Sequence, residues 1–144
     1  MNLKKGVTFS VVIVAIVLML IVISSASIIG SKAIATANFE EFKSEVQRVF
    51  DNVNEYYVKN DVLPLKSAIL NLNNFDTDFK NLILSKEGAN PVLYVVDMSA
   101  IKDTTIKKGN GDVNSKDVYL VSEFTQNVYY LAGYKYNGTT YYTF

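Results

Sequence analysis

Between residues 7 and 29 there are 23 consecutive positions without a charged side chain. This run constrains the chain more than any other feature. Residues 11–23 are 13 apolar residues in succession, after which Ser24, Ser25, Ser27 and Gly30 dilute the pattern. A helix needs about 20 apolar residues to span a bilayer. The run is rich in Val and Ile, but a strand of that length lies far outside the ordinary range of about 3–10 residues. In lipid a helix satisfies its own backbone polar groups, so helix is the expected state. Lys4 and Lys5 precede the run and Lys32 follows it, a bias that places the amino terminus on the cytoplasmic side. A cleaved secretory signal is the competing reading. Its best small-residue site, Ala35-Thr36-Ala37, ends 14 residues beyond Ile23, and the nearer Ser24-Ser25-Ala26 is ill-formed.

Residues 31–61 contain neither Pro nor Gly. Phe42, Val46, Val49, Val53 and Tyr56 recur at intervals of 4, 3, 4 and 3, and Phe39, Phe50 and Tyr57 widen the stripe. That is the period of an amphipathic helix with one broad apolar face. Glu41, Lys43, Glu45, Arg48 and Glu55 fall to its polar side. The helix should stop at Asn60-Asp61, ahead of Pro64. With no breaker but Gly30, the two segments read as one helix from about residue 7 to residue 60, roughly 80 Å long at 1.5 Å per residue.

The remainder reads as a small head. Residues 65–70 are expected to form a short helical turn or a sheet edge, and the Asn-rich stretch after them a loop. Asp76 or Thr77 should cap a short helix over residues 78–84 with Phe79, Leu82 and Ile83 inward. Residues 92–96 and 118–121 read as strands. In residues 127–144, Val128, Tyr130, Ala132, Tyr134 and Tyr136 alternate. Asn137-Gly138 is the strongest hairpin signal of the chain. The expected fold class is α+β: a long helix whose stripe packs on one antiparallel meander of three or four strands, the last of them an edge.

Composition narrows the chemistry. The 144 residues carry 14 basic and 14 acidic side chains, so charge predicts no nucleic-acid contact. Cys and His are absent, which excludes disulfides, Cys/His zinc sites and His-based nucleophile systems. Glu40-Glu41 are adjacent on a helix and diverge by about 100°, so they form no acid–base pair. The chain reads as non-catalytic and without a cofactor. The loop Gly109-Asn110-Gly111-Asp112-Val113-Asn114 with Asp117 offers oxygen ligands of the kind calcium takes. Lys107, Lys108 and Lys116 oppose a cation there, so no metal is expected, and Asp112, Asn114 and Asp117 stand as weak candidates. Asn137-Gly138-Thr139 matches a glycosylation acceptor, and the hairpin turn accounts for it equally.

Lys4-Lys5-Gly6, followed by Val7-Thr8-Phe9 and an apolar helix, resembles the start of type IV pilins and type II secretion pseudopilins. The order of long helix and then antiparallel sheet is similar as well. The resemblance implies cleavage by a prepilin peptidase after Gly6 and methylation of the new amino terminus at Val7, with Lys4, Lys5, Gly6, Val7 and Thr8 as the processing segment. It implies a leader at 1–6, a transmembrane and filament-core half-helix at 7–30, and a pilin-like globular head at 31–144. Partners would be other pilin or pseudopilin subunits, the peptidase, the inner-membrane assembly platform and the lipid membrane. The subunit would sit single-pass in the cell membrane, amino terminus cytoplasmic and head outside, before joining a pilus, secretion or DNA-uptake (competence) filament. Ala26, Ser27 and Gly30 are the small residues expected at the helix-packing face. Val7 replaces the family's usual Phe or Met, and Val11 stands where the family carries glutamate. The alternative function is a single-pass membrane-anchored extracytoplasmic binding protein, with the tyrosine-rich sheet as its recognition surface and no filament role.

Overall fold

The computed structural model describes the backbone of residues 2–66 and 70–144, and the side chains of residues 31–66 and 70–144. Helix α1 runs Asn2–Asn60. The chain divides into two compact units, Met1–Asn38 and Phe39–Phe144. The first is helical from Asn2 onward, and its described side chains, residues 31–38, are all exposed. The expected short turn around Ser67, Ala68 and Ile69 lies outside the described residues.

One expectation about the helix is corrected. Among the described residues no helix is long and apolar enough to cross a membrane. The described part of α1, residues 31–60, carries nine charged side chains. The pilin-like fold class with a transmembrane first half is therefore not carried forward. The side chains of residues 7–30, which held that expectation, lie outside the described set.

In the Phe39–Phe144 unit, α1 presents Phe42, Val46, Val49 and Val53 as buried residues of one face. It ends where Asp61 turns to a φ of 57° and donates its N–H to the Tyr57 carbonyl at 2.8 Å. A 3-10 turn, Leu72–Asn74, leads to α2, Thr77–Glu87. Strand β1 is Leu93–Val95, and α3 is the single turn Met98–Ile101. Strands β2, Tyr119–Ser122, and β3, Val128–Tyr130, follow. Strands β4, Tyr134–Tyr136, and β5, Thr139–Tyr141, end the chain's regular structure.

The expected single meander is corrected to two sheets. One has the order β1-β2-β3 and the other pairs β4 with β5; both are antiparallel. The alternation after Val128 does not run on as one strand. Gly133, at φ 68°, donates to the Tyr130 carbonyl at 3.1 Å and closes a turn there. Few residues but glycine take that φ readily.

The three-stranded sheet is the middle of three layers. Successive side chains of a strand point to opposite faces. Tyr119, Val121, Val128 and Tyr130 join the α1 stripe in one cluster. Leu93, Val95, Val118, Leu120, Tyr129 and Leu131 pack with Phe79 and Ile83 of α2 in another. Every residue of β2 and β3 is consequently buried. Both sheet edges are covered by backbone. Lys66 and Leu70 donate N–H to the carbonyls of Val95 and Leu93, at 2.9 and 3.1 Å. On the other edge Tyr130 donates to the Tyr142 carbonyl at 2.7 Å, and Thr143 Oγ1 donates to the Val128 carbonyl at 2.7 Å. The chain's last residues thus seal β3, and strand edges left open invite non-native pairing.

Candidate functional site

Three polar constellations and one aromatic cluster concentrate the chemistry of the Phe39–Phe144 unit. The first is a seam along α1. Glu41, Glu45, Arg48 and Asn52 are spaced by four, three and four residues and so share a helix face. Each holds the chain segment after α3. Glu41 pairs with Lys107 Nζ at 3.2 Å. Glu45 Oε1 accepts the backbone N–H groups of Lys107 and, at 3.3 Å, Lys108. Arg48 Nη1 donates to Thr105 Oγ1 at 2.6 Å, and Asn52 Nδ2 to Asp103 Oδ2 at 2.9 Å. The Thr105 hydroxyl, Asn52 and the Thr105 amide, in that order, hold the Asp103 carboxyl below its ordinary range. The sequence reading placed Glu45 among solvated residues, yet it is 1% exposed. A signal was available: Glu45 is three residues after Phe42 and four before Val49, which puts it on the apolar arc.

The second constellation is the loop that carried the metal candidates. Asp117 Oδ1 accepts from the Gly109 amide at 2.7 Å and the Tyr130 hydroxyl at 2.6 Å. Its backbone carbonyl accepts from the Gly111 amide at 2.9 Å. Asp112 Oδ1 accepts the Ser115 amide at 2.8 Å, and Ser115 Oγ accepts the Asp112 amide at 3.0 Å. The Ser115 amide is the main reason the Asp112 carboxyl lies below its usual range. Lys116 reaches Asp76 at 2.9 Å. Asn114 is exposed. Asp112, Asn114 and Asp117 therefore share one loop, and both carboxylates act on it as turn-formers. Among the described residues no three acidic side chains gather as a metal-ligand set.

The third was not foreseen. Glu87, the last residue of α2, receives four side-chain donors from the β2–β3 hairpin. Ser122 Oγ donates at 2.7 Å, Thr125 Oγ1 at 2.7 and 2.8 Å, Asn127 Nδ2 at 3.1 Å, and the Tyr129 hydroxyl donates as well. Burial pushes the Glu87 carboxyl up, but these four donors together outweigh it and hold the group below its ordinary value. Burial and the Glu87 contact push the Tyr129 phenol up, so it stays a donor. The donors lie 35 to 42 residues away in sequence, beyond any local pattern.

The aromatic cluster forms where α1, the β4–β5 hairpin and the carboxy-terminal residues meet. Phe39 stacks on Tyr136 with centroids 4.2 Å apart, and Phe42 on Tyr134 at 5.0 Å. Phe144 stacks on Tyr141 at 5.8 Å and meets Phe39 and Phe42 edge-on at 5.6 and 5.5 Å. Lys43 Nζ lies 5.5 Å from the Phe144 ring centre and 5.8 Å from that of Phe39, within cation–π range. Phe144 remains 50% exposed. Beside it a cleft of about 120 Å³ is lined by Lys43, Val46, Phe50 and Val128 among others. That is small against the roughly 300 Å³ at which ligand pockets begin.

The remaining site residues read from the sequence are Lys4, Lys5, Gly6, Val7 and Thr8 for processing, and Ala26, Ser27 and Gly30 for helix packing. Their side chains lie outside the described residues.

No family model matches the chain, no curated protein does, and no solved structure does. The identification with type IV pilins and type II secretion pseudopilins is corrected on that finding. Its only motif was residues 4–10, a pattern short enough to arise at any basic-to-apolar boundary, and Val7 and Val11 already departed from it. The filament-subunit function falls with it. So do the partners it implied: sister subunits, prepilin peptidase, assembly platform and lipid membrane. The membrane-anchored alternative and the single-pass location relied on a spanning helix, and among the described residues there is none.

Proposed function

We propose that the Phe39–Phe144 unit is a non-catalytic recognition module that binds a protein partner through its aromatic cluster. One observation carries this reading: Phe144 is half exposed while its ring is held by Tyr141, Phe39 and Phe42 and overlain by Lys43. A rigidly held, half-exposed ring costs little side-chain entropy on binding, and aromatic residues dominate the cores of protein interfaces. The non-catalytic part has its own support. The carboxylates of Glu45, Glu87 and Asp117 each accept structural hydrogen bonds, which ties them to holding backbone and hairpin in place.

A photo-crosslinking amino acid at position 144 of the full chain, expressed in its native cell, tests the proposal. The expected result is a discrete protein adduct. The same group at Val58, which is 82% exposed and away from the cluster, should give none. Equal diffuse labelling from both positions would sink the reading. Lys43→Ala should reduce adduct yield from position 144 about two- to fivefold, the worth of an exposed cation–π contact.

A further inference from the structure

Asn-Gly occurs twice in the chain, at Asn110-Gly111 and Asn137-Gly138. The pair is prone to one spontaneous reaction. With no side chain on the glycine, its backbone nitrogen can approach the asparagine side chain with little obstruction. Both asparagines are exposed, so exposure does not separate the two. The backbone around them does.

At Gly111 the nitrogen is engaged: its N–H donates to the Asp117 carbonyl at 2.9 Å. Space is closed as well, since an added Cβ would come 2.5 Å from Ser115 Oγ and 2.8 Å from Asp117 Cβ. The next residues lock the segment, the Ser115 amide donating to Asp112 and the Asp112 amide to Ser115. At Gly138 none of this holds. Its N–H enters no backbone hydrogen bond among the described residues, and nothing lies within 4 Å of an added Cβ. The turn is closed by the Tyr136–Thr139 pair of a two-stranded sheet, and Thr139 and Thr140 beyond it are exposed.

We propose that Asn137 is a self-modification site, converted through a cyclic imide to aspartate and isoaspartate, while the fold protects Asn110. Hydroxide removes the Gly138 amide proton, and the nitrogen attacks Asn137 Cγ. The N–Cγ bond forms, the Cγ–Nδ2 bond breaks, and Nδ2 takes a proton from water and leaves as ammonia. Water then opens the ring. Cleavage of the new N–Cγ bond gives aspartate; cleavage of the original peptide bond gives isoaspartate, whose backbone runs through Cγ. The attack needs Asn137 to rotate out of its left-handed turn conformation, so the rate follows local opening. The two products differ in consequence. An aspartate-glycine pair also suits a mirror-image turn and leaves the hairpin closed. The isoaspartyl link adds one backbone carbon to a two-residue turn and displaces Tyr136, which stacks on Phe39 at 4.2 Å.

Peptide mapping by mass spectrometry tests this on the full chain, incubated folded at mildly alkaline pH. Fragmentation assigns each gain of one mass unit to its residue. Position 137 should react about fivefold faster than position 110 or more, the factor that one net amide hydrogen bond corresponds to. In denaturant the two rates should become alike, which shows that the fold and not the local sequence sets the difference. An isoaspartyl methyltransferase should label the aged folded chain at position 137. Equal rates in the folded chain, a faster rate at 110, or no gain at 137 while the denatured chain reacts would each overturn the proposal. Amide exchange over residues 134–141 should accelerate in the isoaspartyl fraction and not in the aspartyl fraction. Equal exchange in the two fractions would overturn the consequence drawn for the hairpin.

Discussion

Glu87 shows what one carboxylate contributes when a hairpin is built to hold it. It ends a helix, where the backbone dipole disfavours negative charge, and it is retained by Ser122, Thr125, Asn127 and Tyr129. Ser122 and Tyr129 are fully buried, so removing Glu87 takes away the acceptor to which their hydroxyls donate. Glu87→Ala should cost about 1–3 kcal/mol in urea unfolding at neutral pH. The linkage with pH has a definite sign. The folded-state carboxyl is held below its reference value of 4.5, so the folded protein binds that proton less readily than the unfolded chain. Its contribution is fully present above about pH 4.5 and is lost as pH falls through the lower folded value. Between pH 6 and pH 3 the thermal midpoint of the wild type should therefore fall more steeply than that of Glu87→Gln. Asp103 and Asp112 are also held low, and they contribute equally to both proteins. Parallel curves would show that the four donors do not favour the charged form.

Among the elements, the β4–β5 hairpin separates conformational strain from steric room. Its turn residues Asn137 and Gly138 have φ of 49° and 78°, the pair of positive values that a two-residue mirror-image turn requires. A Cβ at Gly138 would meet nothing within 4 Å. Gly138→Ala should cost only the left-handed backbone penalty, about 1–2 kcal/mol. Gly133, at φ 68°, would place its Cβ 2.6 Å from Thr140 Cγ2 and 2.8 Å from Tyr142 Cε1. Gly133→Ala should lose that much and a further 1–3 kcal/mol for overpacking. Paired chemical denaturation measures the difference, and equal losses would show that the Gly133 contacts relax freely. The same hairpin marks where sequence reading works and where it stops. Asn-Gly was legible because turn chemistry is local. The break at Gly133 was not, because the tyrosine alternation continues in sequence across a backbone that turns. The stripe of Phe42, Val46, Val49 and Val53 was legible from period alone. The same spacing puts Glu45 on that stripe, but the backbone amides its carboxylate accepts belong to Lys107 and Lys108, 62 and 63 residues away and beyond any local pattern. The spanning-helix expectation weighed residues 7–29 by hydropathy, and no match to known proteins supported the family drawn from it.

At the scale of the whole chain, the Phe39–Phe144 unit holds two apolar clusters that share one sheet. Phe42 anchors the cluster on the α1 side and Phe79 the cluster on the α2 side. Both are essentially inaccessible, at 0% and 1% exposure. Truncating a buried Phe costs about 3–5 kcal/mol through lost burial and the cavity left behind. Because β2 sends Tyr119 and Val121 to one side and Val118 and Leu120 are buried on the other, neither cluster can loosen without disturbing the strand between them. Phe42→Ala and Phe79→Ala should therefore lower one and the same cooperative transition. Amide exchange at Leu120 and Val121 should accelerate by the same factor in either variant. Unfolding followed by far-ultraviolet circular dichroism and by tyrosine fluorescence should remain superimposable, as a two-state unit requires. Selective acceleration on the α1 side in Phe42→Ala, with residues 77–87 still protected, would show that the two layers open separately. The shared sheet would then be a surface between two sub-units and not the spine of one.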